Sequence, residues 1–391
     1  MHAATYHLPP GRCGIKTHVH NELQSRTVLD WVLERLAVHG LTGVQSTSGR
    51  DRIGRYIQLQ FPDEIAARWA PDGSTATLCQ TLGLNPAVRT EDLELEILLA
   101  MLLSPVQFDF PNHAELISGI HIRRAIVQAA RRTTLAFGTS EAERPADYWY
   151  YDEDRGFLLQ PGRSLITALE KATSSGESDK LYTFSCRRAT EYLFLLGMAR
   201  EAEICNPPLL EQMHRQSETR ALKGGEFERT FVRTTGSSSH PFPVRFFVPG
   251  DRTWFRNTDP VSAEITGYEG SWTFYLGNGL FADFWRRDRV FTLESKLACI
   301  YNWRNSTFRD SAGELQIDEA NVDARTESAC RQPGVIAQIL DETLRLQFPL
   351  GTTGGGCIES HREHPCSVHP ATTDVILPDI RQGSPVSAVV S

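Results

Sequence analysis

The sequence has no apolar run long enough to cross a bilayer. The longest, such as Tyr192–Met198, end after a few residues, where a spanning helix needs about 20. It also has no excess of positive charge: 40 basic residues stand against 48 acidic ones, a formal charge of −8. Nucleic acid is therefore not expected as the main partner. Residues 1–10 lack a cationic flank leading into an apolar stretch, so no secretory signal is expected and the expected compartment is the cytoplasm. There is no Walker A sequence and no G-x-S-x-G elbow, which argues against a P-loop nucleotide site and a serine hydrolase elbow. The eight cysteines, at 13, 79, 186, 205, 299, 330, 357 and 366, follow no repeating framework. In a chain of 391 residues read as cytoplasmic, reduced thiols are the expectation.

What is present reads as globular material, 40% hydrophobic and 23% charged. The length suits two modest domains, or one large domain with extensions. Residues 1–26 are polar and hold His2, His7, His18 and His20. Thr27 followed by Asp30, with Val28, Val32 and Leu36 in register and Gly40 beyond, predicts a capped helix. Alternation over Arg55–Phe61 predicts a half-buried strand. Leu93–Leu103 is apolar enough for a buried helix, which Ser104-Pro105 stops. Asn112 with Glu115 caps a long helix to Arg132, striped by Leu116, Ile120, Val127 and Ala130. Tyr148–Tyr151 and Gly156–Leu159 read as strands about a turn, and Ser164–Ala172 as a short helix. Beyond Gly224-Gly225 and Ser237–Ser239 the texture turns to strands: Val244–Val248, Trp254-Phe255, Trp272–Leu276 and Leu280–Phe284. The signal fades from about Asn305, and 351–391, rich in Gly, Pro, Ser and Thr, is expected to be loosely ordered. The expected division is a small N-terminal α/β extension over 1–90, a main domain over 91–327, and a largely irregular C-terminal extension over 328–391.

One cysteine stands in a special place. Lys180–Phe184 reads as a strand, and Cys186 opens a helix from Arg187 to about Glu203 that Asn206-Pro207-Pro208 ends. At a helix N-terminus the macrodipole and the free N–H groups favour a thiolate. The same N–H groups can hold an oxyanion. Arg187 and Arg188 add positive charge beside the sulfur. From position alone, a buried structural cysteine accounts for Cys186 equally well.

The order of the surrounding motifs carries more. Ser104-Pro105-Val106-Gln107-Phe108-Asp109-Phe110, then His113-Ala114-Glu115-Leu116, lead to Tyr148-Trp149 and to Tyr182-Thr183-Phe184-Ser185-Cys186. Phe246–Asp251, Trp254–Asn257, Asp259-Pro260, Gly267-Tyr268-Glu269-Gly270, Leu276-Gly277 and Phe281-Ala282 follow. In this order, across about 95–300, the chain resembles the bacterial spore-coat type protein-glutamine gamma-glutamyltransferases. The resemblance implies a papain-like (NlpC/P60-like) α+β core, related to cell-wall cysteine peptidases, with no cofactor, metal or calcium. It maps the nucleophile onto Cys186 and the acid/base carboxylate onto Glu269. It also places Trp254 and Tyr268 near a hydrophobic tunnel that admits protein glutamine from one mouth and lysine from the other. Assembly at a spore or cell surface would be in keeping with it. This chain departs from the pattern at Ser185, where a second glutamate is common, at Arg187-Arg188, where short residues follow the cysteine, and at Asp283, where a histidine is common.

The chemistry suits these residues. A primary amide is a poor electrophile, so a soft thiolate attacks it, ammonia leaves protonated, and the thioester waits for an amine. Glu269, in an aromatic setting formed by Tyr268, Trp254 and Trp272, would serve as acid and then as base. Two alternatives stay open: a thiol hydrolase (deamidase or peptidase) with His240 as base, and an interaction protein that kept the fold without the activity. Gly277-Asn278-Gly279-Leu280-Phe281-Ala282 superficially fits a dinucleotide fingerprint but reads as a hairpin turn. Cys357, His361, His364, Cys366 and His369 are zinc-type ligands in a spacing that matches no common site. An exposed polar tail is the reading preferred there, and no membrane partner is expected.

Overall fold

The computed structural model describes residues 13–138, 142–174, 180–287, 289–347 and 355–378, a mixed α+β structure with two principal sheets. His2, His7 and the segment 379–391 lie outside the described residues. The alternation at Arg55–Gln60 buries Ile57 and Leu59. That strand pairs antiparallel with Gln45–Arg50 and with Ile15–Val19. Ile15–Val19 pairs in parallel with Phe108–Phe110, which closes a four-stranded sheet. The residues expected to divide at 90 thus share a sheet. They share a core as well, since one apolar cluster holds Ile15, Leu59, Leu98, Val127, Phe194, Phe274 and Val368.

The second sheet has six strands in the order Val290–Thr292, Leu280–Ala282, Gly270–Gly277, Arg252–Arg256, Arg362–Pro365 and Val232–Thr235. Asn278 and Gly279 have φ of 51° and 75°, the left-handed pair that a tight hairpin needs, and they join Gly270–Gly277 to Leu280–Ala282. Helices His113–Arg132 and Cys186–Cys205 pack on each other and on the Gly270–Gly277 strand. Gly197 makes that approach possible, because a Cβ there would lie 2.5 Å from Ile126 Cγ1. Among the described residues no helix is long and apolar enough to cross a membrane.

Several sequence expectations meet corrections. The first helix is Glu22–Ala37, capped by Asn21, whose side chain accepts from Gln24 N–H at 2.9 Å. Thr27 lies inside it and donates its hydroxyl back to the Leu23 carbonyl. Val244–Val248 is not a strand, although Phe246, Phe247 and Val248 are buried. Phe246 N–H turns back to the Pro243 carbonyl, and side chains take the next two N–H groups, Phe247 by Thr75 Oγ1 and Val248 by Asp251. Only Thr183–Phe184 of the expected Lys180–Phe184 strand is extended, paired with Ala136–Phe137.

The largest correction concerns the stretch 357–369, read as an exposed polar tail: Arg362–Pro365 is an interior strand of the six-stranded sheet, which the helix Pro333–Thr343 precedes in the chain. Composition misleads there because the polarity is satisfied inside: the buried Arg362 guanidinium donates to the carbonyls of Phe246, Glu359 and His361. Cys357 and Cys366 are buried, and His364 bonds Thr235 Oγ1 through Nε2 at 2.8 Å. No group of three or more His, Cys, Asp or Glu among the described residues is placed to hold a metal.

Candidate active site

Helix Cys186–Cys205 begins where Ser185 turns extended and its Oγ accepts from Arg188 N–H at 3.3 Å. Cys186 is therefore the first residue of a 20-residue helix. Ser185, one of the departures noted above, is its cap. Arg187 and Arg188 do not stand as bare charges beside the sulfur. Arg188 pairs with the fully buried Glu191 and donates to the Leu222 carbonyl, and Arg187 pairs with Glu228 at 2.7 Å.

Cys186 is half-buried. Burial pushes its thiol above the ordinary range, and the charge of Glu269 adds to the rise. Three groups work against burial: the Trp272 backbone N–H, the Lys296 ammonium and the Arg187 backbone N–H. Helix position alone therefore does not produce a resting thiolate, because desolvation outweighs it.

The sulfur's residue lines a cavity of about 200 Å³. Phe137, Tyr268, Trp285, Phe291 and Trp303 supply its aromatic wall. Phe137 meets Tyr268 and Trp285 with ring centroids 6.0 and 5.2 Å apart, and Tyr268 meets Trp303 edge-on at 5.2 Å. The Tyr268 hydroxyl donates to Glu319 at 2.6 Å. On the same wall, Lys296 Nζ donates to Ser271 Oγ at 2.8 Å and lies 4.5 Å from the centre of the Phe291 ring. Two larger cavities, of about 530 and 780 Å³, border His18 in the N-terminal sheet, and Cys186 lines neither.

Of the residues expected at the site, Cys186 and Tyr268 line this cavity together. Trp254 does not. It faces its cross-strand partner Trp272, rings 5.1 Å apart and tilted by 40°, over the space left by Gly270. Glu269 is exposed, and its carboxylate accepts from Gly267 N–H at 3.0 Å. Its charge reaches the sulfur, but the apolar setting expected for it is absent because the chain turns outward there. His240 sits in an exposed turn with Ser237 and Ser239, and no histidine lines the cavity. Asp283 is buried, paired with Arg289. Sequence reasoning missed Lys296, Ser271, Phe137, Trp285 and Trp303. For Lys296 a signal existed: it interrupts the stripe Leu293, Leu297, Ile300 of a helix capped by Thr292 and Ser295.

A thiol heading a helix, bordered by main-chain donors and an aromatic cavity on an α+β scaffold, is an arrangement that cysteine acyl transfer can use. The family model described as protein-glutamine gamma-glutamyltransferase matches residues 74–294, more than half of the 391 residues, and the chain belongs to that family of acyltransferases. Among solved structures it is similar to the transglutaminase from Geobacillus stearothermophilus without its C-terminal extension. The two are 22% identical, with 55% of this chain and 98% of that one covered and a TM-score of 0.36. No curated protein matches the chain.

Proposed function

We propose that Cys186 forms a thioester with the side chain of a protein glutamine and passes the acyl group to a lysine amine, giving an isopeptide crosslink. The observation that carries this reading is the seat of Cys186 at the first position of its helix, with Trp272 and Arg187 N–H groups acting on the sulfur at the wall of the aromatic cavity. The sulfur adds to the carboxamide carbon, and the two N–H groups stabilise the oxyanion. The C–N bond breaks as ammonia takes a proton. A deprotonated lysine amine then attacks the thioester, and Cys186 regains its proton.

Glu269 is proposed as the proton carrier, acting from the mouth of the cavity, because it is the carboxylate whose charge acts on the sulfur. Tyr268 and the stacked Trp254 are proposed to shape the approach of substrate. A papain-like core within 91–327 would carry this chemistry, with 1–90 and 328–391 as extensions built onto it. The partners are proteins that supply glutamine and lysine. The proposed place of action is the cytoplasm or a spore or cell surface assembled from it, with no cofactor required.

Incorporation of a fluorescent primary amine into a glutamine-containing protein tests the scheme. Cys186→Ala should abolish incorporation, while the other seven cysteines, replaced singly, should leave it in place. Near-wild-type incorporation by Cys186→Ala would remove the central claim.

A further inference from the structure

Lys296 lies just beyond the residues that the family model matches, 74–294, and has no part in the scheme above. It is only 5% exposed, yet it shares the wall of the 200 Å³ cavity with Cys186. Its Nζ is held by Ser271 Oγ at 2.8 Å, and Ser271 adjoins Trp272, whose N–H acts on the sulfur. No carboxylate among the described residues pairs with this ammonium, which is otherwise faced by the Phe291 ring. A buried cation without a counter-charge is costly.

Among the described residues the ionisable groups around it are few. Glu319 is engaged by the Tyr268 hydroxyl, Arg289 by Asp283 and Asp323, and Arg286 by Asp323. Glu269 is exposed. Of the described groups, two thiols remain, Cys186 and Cys299. Lys296 favours the anion of each, but burial leaves Cys299 at about 11 with no main-chain donor to assist it. Cys186 alone has the N–H groups of Trp272 and Arg187 as well.

We propose that Lys296 is the charge partner of the nucleophile: a buried ammonium, aimed by Ser271, that lowers the cost of forming the Cys186 thiolate for attack. Lys296 keeps its own proton throughout: the Cys186 S–H proton leaves to solvent, the sulfur keeps the electron pair, and the ammonium gains the counter-charge it otherwise lacks. The role rests on the reading of Cys186 as nucleophile.

The test is the pH dependence of Cys186 alkylation by iodoacetamide in the full-length protein, followed on the Cys186 peptide by mass spectrometry. Lys296→Met should raise the midpoint and slow alkylation at pH 7 by about tenfold or more, the equivalent of one pH unit in the thiol. Lys296→Arg should keep most of the wild-type profile. Ser271→Ala, which frees the ammonium while leaving it present, should give a smaller rise, and it decides the matter if Lys296→Met does not fold. Superimposable profiles for wild type and the folded variants would overturn the proposal. Amine incorporation by Cys186→Ala is read separately, so failure of the Lys296 role is distinguishable from failure of the nucleophile assignment.

Discussion

Replacing Arg252 by methionine strands a carboxylate inside the sheet. Arg252 has no exposed side-chain surface, and its Nε meets Glu363 Oε2 at 2.5 Å, on the interior strand that the C-terminal extension supplies. Its guanidinium also lies 4.4 Å from the ring centre of Trp272, the residue whose N–H acts on Cys186. Glu228, its second partner at 3.3 Å, keeps Arg187 and needs no rescue. Removing one member of a buried pair costs about 3–5 kcal/mol. The structure sets a ceiling on the electrostatic part, because Glu363 escapes its unpaired charge by taking up a proton. Its ordinary value is 4.5, so at pH 7.5 that escape costs about 4 kcal/mol, and at pH 5.5 about 1.4 kcal/mol, at 1.36 kcal/mol per pH unit. The sign follows: burial raises the folded-state value of Glu363 above the unfolded one, so its contribution is whole below 4.5 and is lost as pH rises. Urea unfolding of wild type and Arg252→Met at the two pH values measures this. The penalty should shrink by about 2–3 kcal/mol on going from pH 7.5 to 5.5. Exchanging Glu363 for leucine in the same background should restore most of the loss at pH 7.5. A penalty of equal size at both pH values would show that Glu363 is not the stranded charge.

Three further outcomes are expected. Glu269→Gln should lower amine incorporation by about 10²–10⁴-fold with stability unchanged; near-wild-type turnover would mean another group carries the proton. Incorporation should proceed at an unchanged rate in excess chelator, because the sequence has no acidic loop of the EF-hand kind; dependence on added calcium would contradict this. Gly270→Ala places a Cβ 2.3 Å from Trp254 Cζ2 and 2.5 Å from the Phe255 carbonyl, an overpacking worth about 1–3 kcal/mol. It should lower Tm and incorporation together, and an unshifted Tm would show that the Trp254–Trp272 stack yields freely.

Features set by neighbouring residues were legible in the sequence. Asn112 and Ser164 cap their helices through bonds three residues away, and Asn278-Gly279 makes its own turn. The order of motifs pointed to Cys186 and Tyr268, which line one cavity. What escaped is set by distant partners. Val244–Val248 has the composition of a strand, but Thr75 and Asp251 take its N–H groups. Arg362 and Glu363 look like solvated tail residues until Phe246 and Arg252 are brought against them. Lys296 reads as a surface lysine, since a single charge on a helix is usually solvated. Only the folded chain brings Ser271 and Phe291 against it and buries it at the cavity it shares with Cys186.

The interior position of Arg362–Pro365 also bears on biosynthesis. Arg252 and Glu363 are neighbours in the sheet but 111 residues apart in the chain. At about 5–20 residues per second, the ribosome needs roughly 6–22 s to deliver the second strand after the first. Throughout that interval one edge of Arg252–Arg256 lacks its neighbouring strand and Arg252 lacks Glu363, although Cys186 has long since emerged. Completion of the sheet beneath Trp272 is thereby deferred to the last stretch of translation. A product cut short before residue 362 lacks the strand between Arg252–Arg256 and Val232–Thr235, so premature termination or tail proteolysis should yield chains without crosslinking activity that expose an open strand edge to quality control.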